Sequence, residues 1–120
     1  MISNPVPTAI SGQKYISLTT FRKTGVGVAT PVWFGEQAGK LYVMSRSDSG
    51  KSKRVRNNPQ VHLAPCTIRG KVTGPEFPAH ARIMTADESA LGRDAVRAKY
   101  LLARIPFLWS KDNIYFEISF

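Results

Sequence analysis

The sequence predicts a small, mainly β domain, an antiparallel barrel with two helices. Three observations predict it. Five or six runs are rich in β-branched and aromatic residues and alternate with period two. Most are joined by short turns carrying glycine, proline or asparagine. Only two stretches, one basic and one opened by a capping box, have helical character.

Residues 1–13 contain Pro5, Pro7 and Gly12 and are expected as an N-terminal arm, leaving 14–120 as the domain. Lys14 to Arg22 is the first expected strand, and Lys23-Thr24-Gly25 supplies a hairpin turn with a glycine available for positive φ. Val26 to Phe34 is the second strand. It contains Pro31, which cannot donate to a ladder, so it belongs at a sheet edge or is bulged there. Glu36 to Lys40 reads as a turn. Leu41 to Ser45 then alternates Tyr42 and Met44 against Leu41, Val43 and Ser45. Gln60 to Cys66 is a strand with Val61 and Leu63 on one face, followed by a long basic hairpin loop through Arg69-Gly70-Lys71 and Gly74-Pro75. Glu76 to Met84 turns Phe77, Ala79, Ala81 and Ile83 to one face. Thr85-Ala86-Asp87-Glu88 is a capping-box pattern, after which Leu91, Ala95, Ala98 and Leu102 recur at helical spacing until Pro106. Asn113 to Phe120 closes the chain with Ile114, Phe116, Ile118 and Phe120 alternating inward.

The stretch with chemistry in it is Leu41 to Pro59: a strand, a loop of small residues and a basic helix. Asp48-Ser49-Gly50 offers an N-cap and a flexible backbone just before Lys51, Lys53, Arg54 and Arg56. Unpaired N–H groups at a helix start, with ammonium and guanidinium groups beside them, are what a phosphate needs. A basic run on a short helix is also commonly a solvated face. Helical spacing puts Val55, flanked by Ser52 and Lys51, on one side and spreads Lys53, Arg54 and Arg56 over the other.

Composition narrows the partners. Seventeen Lys and Arg against eight Asp and Glu give +9 in 120 residues, which implies an acidic ligand, nucleic acid or an anionic surface. One cysteine, Cys66, excludes an internal disulfide framework and a Cys-based zinc site. No apolar run is long enough for a membrane span, and the first fifteen residues lack a signal-peptide pattern, so a soluble, cytoplasmic protein is expected.

Most self-sufficient chemistries fail on spacing. Gly50-Lys51-Ser52 is not a phosphate-binding loop, because the glycine required five residues before the Gly-Lys pair is Ser45. Gly25-Val26-Gly27 lacks the third glycine of a dinucleotide fingerprint, since Thr30 stands there. His62 and His80 lie mid-strand without a nucleophile or acid pattern, the carboxylates show no aimed pair, and no metal-ligand spacing occurs. Cys66 reads as a buried small hydrophobe. A cofactor that brings its own reactivity suits such a chain: the protein need only bind a phosphate, hold a ring and exclude water. Trp33, Phe34, Met44 and Trp109 offer flat or soft contacts, or are plain core.

KYISLTTFRKTG at 14–25, TPVWF at 30–34 and LYVMSRSDSGKSKRVRNNPQVHLAPCTIRGKVTGP at 41–75 together resemble the split-barrel flavin and deazaflavin oxidoreductases related to pyridoxamine 5′-phosphate oxidase, most of all the F420-dependent branch. The likeness runs from Lys14 to about Met84 and is most specific from Lys51 through Gly70. It implies a Greek-key-like, FMN-binding type of split barrel, a homodimer with two cofactor sites at the subunit interface, and hydride transfer from reduced F420, or FMN, to a conjugated acceptor such as an enone, quinone or tetrapyrrole. By the same resemblance Val32, Trp33 and Phe34 line the ring through their backbone, Met44, Ser45 and Arg46 lie beneath ring and ribityl chain, and Lys51, Lys53 and Arg54, entered through Gly50, hold the phosphate. Residues around Cys66 and Trp109 of a second subunit are expected to close the pocket. Five basic residues from Arg46 to Arg56, with Arg69 and Lys71, suit the polyanionic F420 tail. Two other classes remain: a carrier that binds F420, FMN or a tetrapyrrole without turnover, and a nucleic-acid binder. The second is disfavoured because the charge gathers at one helix start rather than along a groove.

Overall fold

The computed structural model describes residues 5–99 and 113–120. Within them the elements run β1 (Tyr15–Phe21), β2 (Gly27–Trp33), β3 (Gly35–Gln37), β4 (Lys40–Arg46), α1 (Gly50–Asn57), β5 (Gln60–Cys66), β6 (Phe77–Ile83), α2 (Ser89–Lys99) and β7 (Asn113–Ser119). The seven strands form one sheet in the order β2-β1-β5-β6-β7-β4-β3, every neighbouring pair antiparallel. The expected antiparallel barrel is present as a curled half-barrel. Pro31 sits as its chemistry requires, on the edge strand β2, in unbroken register opposite Ser17.

Alternation along the strands builds the interior. Ile16 and Leu18 of β1, Leu41 and Val43 of β4, Val61 and Leu63 of β5, Ala79 and Ala81 of β6, and Phe116 and Ile118 of β7 all turn into one buried cluster, with Val55 of α1 and Phe34 closing on it. Ile10 is also fully buried there. Residues 5–13 are held against the barrel by that side chain and by Ser11, whose hydroxyl donates to Glu36.

Two readings of the sequence change. The turn expected over Glu36 to Lys40 contains a strand, β3, because Ala38 and Gly39 both take positive φ and make a two-residue hairpin onto β4. The apolar face of α2 is Gly92, Ala95 and Val96, whereas Leu91 is 44% exposed. Close approach decides that register. A β-carbon on Gly35 would run into the Ala95 carbonyl, and one on Gly92 would lie 2.9 Å from Cβ of Tyr115. The helix therefore packs its smallest side, not its largest side chain, on the sheet. Its start follows the capping box: Glu88 Oε1 accepts from the Thr85 N–H at 2.9 Å and Thr85 Oγ1 accepts from the Glu88 N–H at 3.4 Å. Leu102, Pro106 and Trp109 lie outside the described residues, as does the side chain of Ala98.

Candidate functional site

The junction between β4 and α1 is tied by hydroxyls. Ser49 is the N-cap, accepting from the Ser52 N–H at 3.1 Å. Ser45, Ser49 and Ser52 share hydrogen bonds of 2.9 to 3.3 Å, and the Ser52 hydroxyl donates to the Arg46 carbonyl at 2.6 Å. Ser45 and Ser52 are buried, so this network satisfies polar groups that have no water to turn to. It also fixes the direction in which the first turn of α1 presents its cations.

Those cations divide. Lys51 is half-buried and has no hydrogen-bond or ion-pair partner among the described residues; burial, with Arg54 nearby, holds its ammonium below the usual lysine range. Arg54 turns the other way, its Nε donating to the fully buried Thr20 Oγ1 at 2.6 Å. Its guanidinium crosses Gly50, where a β-carbon would lie 2.8 Å from Nη1. Arg46 pairs with Asp48 at 3.2 Å and, chiefly through that bond, lowers the aspartate's pKa. Lys53 and Arg56 are exposed.

Lys51 lines a cavity of about 300 Å³ together with Pro31, Val32 and Trp33 of β2, Met44 of β4 and Val96 of α2. Three of these residues belong to β2, whose outer edge pairs with no strand among the described residues. The Val32 side chain belongs to the interior core, so Pro31 and Trp33 carry the alternate side chains toward the cavity. Trp33 and Met44 pack against a second cluster formed by Tyr42, Met84, Ala95, Val96 and Tyr115, beneath α2. The Met44 sulfur accepts from Asn113 Nδ2 at 3.3 Å.

Of the residues the sequence singled out, Val32, Trp33, Met44 and Lys51 meet in this cavity. Ser45, Arg46, Gly50, Lys53 and Arg54 do not line it, and Phe34 is fully buried in the barrel interior. Cys66 is buried, its thiol pushed up by burial. Val96 stands outside the helical pattern read from the sequence, which takes in Leu91 and Ala95 and of which Ala95 packs beside Val96. A charge cluster was missed too: Arg82 makes a two-pronged contact with Glu88 at 2.8 Å and reaches Glu117 at 3.2 Å, and Glu117 also takes Lys40 at 3.3 Å. Burial and Glu117 push the Tyr42 phenol up. The row ties β4, β6 and β7 to the start of α2. The histidines pair locally, His62 with Glu76 at 3.0 Å and His80 with Gln60 at 3.0 Å. Among the described residues no cluster of His, Cys, Asp and Glu could hold a metal ion, and no helix is long and apolar enough to cross a membrane.

Solved structures carry the same fold. The chain is similar to a heme-binding protein from Mycobacterium smegmatis (TM-score 0.70, 15% identity, 92% of this chain and 48% of that one). It is similar to an F420-H2 dependent reductase (TM-score 0.65, 18% identity, 88% and 93%) and to a pyridoxamine 5′-phosphate oxidase candidate from Listeria innocua (TM-score 0.62, 18% identity, 88% and 82%). The architecture is a split β-barrel. The chain spans about half the length of the heme-binding protein but nearly all of the reductase. No protein-family model and no curated protein sequence matches it.

Proposed function

We propose that the cavity between β2, β4, α1 and α2 binds a flavin-type cofactor, coenzyme F420 or FMN, and that the protein is an oxidoreductase acting on a conjugated small molecule. The observation that carries this reading is Lys51: a half-buried ammonium without a counter-ion among the described residues, lining a cavity whose other walls are Trp33, Met44, Val96 and a strand edge. A cation kept out of water is stabilised by an incoming anion, and a phosphate or carboxylate supplies one. The residues fit such a group. Lys51 would take the anionic end, the β2 edge would offer backbone groups to the polar rim of a ring, and Trp33, Met44 and Val96 would cover its faces and exclude water.

When bound, the ring would itself supply hydride chemistry, so the lack of an acid–base pair in the wall is no obstacle. The match in extent with an F420-H2 dependent reductase, together with the +9 charge, favours F420 over FMN. Heme fits less well, because among the described residues no imidazole, thiol or phenol lines the cavity to ligate iron axially, and the Met44 thioether is the one soft donor of that described lining. A second copy of the chain would close the open side as a homodimer, which light scattering with and without cofactor would report.

Titration of the purified protein with F420 and, separately, FMN, read by cofactor absorbance and fluorescence, tests the reading. Saturable binding that weakens about tenfold or more in Lys51→Ala is expected from loss of a charge-assisted contact. No binding of either cofactor removes the redox function.

A further inference from the structure

The β5–β6 loop, residues 67–75, is a compact, rigid structure with unused chemistry. The Lys71 carbonyl accepts from the Thr67 N–H at 2.9 Å, the Thr67 carbonyl from the Gly70 N–H at 2.9 Å, and Thr67 Oγ1 from the Lys71 N–H at 3.2 Å. Cys66 and Val72 form a bridge at its base. Gly70 takes φ +88°, and a β-carbon there would stand 3.6 Å from Cγ and Cδ of Pro31. Pro31 is a wall of the cavity. The loop therefore folds over β1 and rests its tip on the cavity rim.

Beside that tip Ile68 is 65% exposed, and Val72 at the loop's base is 52% exposed, two of the largest exposures of bulky apolar side chains among the described residues. Arg69 and Lys71 alternate with them, exposed and with no side-chain partner among the described residues. Residues 67–75 contain no carboxylate, and Glu76, which ends the loop, is paired with His62. Apolar surface interleaved with uncompensated cations, held beside a cavity mouth, is complementary to a ligand with an apolar body and an anionic group.

We propose that this loop recognises the acceptor substrate, and that the acceptor is an amphipathic organic acid. Its apolar part would lie on Ile68 and Val72 while its carboxylate or sulfonate meets Arg69 and Lys71. The inference rests on the cavity being the cofactor site, since only then is the rim where an acceptor arrives.

The test uses a pair of fluorescent probes, anilinonaphthalene sulfonate and its uncharged parent phenylnaphthylamine, titrated into the full chain. The sulfonate is expected to bind about tenfold tighter than the parent. Arg69→Ala/Lys71→Ala should abolish that preference, leaving unchanged the affinity for the parent and for FMN, which ends at its phosphate, and Arg69→Lys/Lys71→Arg should retain it. A preference that survives the double Ala variant, or that is lost only in Lys51→Ala, overturns the proposal. So does loss of both probes together with a shift in oligomeric state, which would make the loop an interface between copies. Failure of the wild type to bind F420 or FMN would instead remove the cofactor reading, and the probe preference would still decide whether the loop takes an amphipathic anion.

Discussion

The barrel interior and the layer under α2 use opposite faces of the same strands, yet they are built on different rules. β4 gives Leu41 and Val43 to the interior and Tyr42 and Met44 to the outer layer, and β7 gives Phe116 and Ile118 to one and Tyr115 to the other. The interior is apolar and closed. The outer layer mixes a phenol with a raised pKa, a thioether, half-buried Trp33 and a cavity, and it is fastened at its rim by the Arg82 charge cluster. One face carries stability with redundancy from six of the seven strands; the other carries the site, and relies on one helix staying in place.

The largest effect that separates the two is expected inside the barrel. Phe116 is fully buried, and Phe116→Ala should cost about 3–5 kcal/mol, lowering the urea midpoint of the whole domain. Gly35→Val should cost less, about 1–3 kcal/mol, because its new side chain must push the α2 backbone at Ala95 away from the sheet. The distribution of the damage is the informative part. Gly35→Val should weaken cofactor binding at temperatures where the far-ultraviolet spectrum is unchanged, since Val96 moves with Ala95. Equal loss of binding and of sheet signal would mean that the two layers are one cooperative unit.

This division is also why the sequence was legible in one layer and opaque in the other. Period-two alternation announces an interior strand face regardless of what covers the other side, so the long strands, the Pro31 edge and the Gly25 turn could be read residue by residue. The outer layer depends on absent side chains. Gly35 and Gly92 matter because nothing projects from them, and a hydrophobicity pattern scores Leu91 above glycine, so it sets Leu91 beside Ala95 on the packed face where Gly92 and Val96 stand. β3 escaped because three residues carry too little pattern and Ala38 does not advertise positive φ. In the site, the basic run and its N-cap were visible, but not the split between Lys51, which lines the cavity, and Arg54, which Thr20 holds aside. That split is set by a tertiary contact. It gives a mid-sized prediction: in Thr20→Val the Arg54 side chain is released, and cofactor affinity should change less than threefold (under about 0.7 kcal/mol), against about tenfold for Lys51→Ala. Equal effects would place both cations on the ligand.

The smallest expected effect tests the fastening of α2. Arg82, with help from the Thr85 N–H, holds the Glu88 carboxyl down at about 2 from its ordinary 4.5. A carboxyl lowered in the folded state contributes stability at pH values above its unfolded pKa, and the contribution fades as pH falls through the folded value. The window is therefore between about 4.5 and about 2. Because Glu88 is a surface group, the loss should be local rather than global. Amide hydrogen exchange in the first turns of α2 should accelerate, relative to β5, as pH is lowered across that window, after correction for the intrinsic pH dependence of exchange. Glu88→Gln should show the faster relative exchange already at neutral pH and lose most of the acid dependence. If α2 and β5 lose protection in parallel in the wild type, the Arg82 cluster does not fasten the helix separately, and the outer layer is held instead by the packing of Gly35 and Gly92 alone.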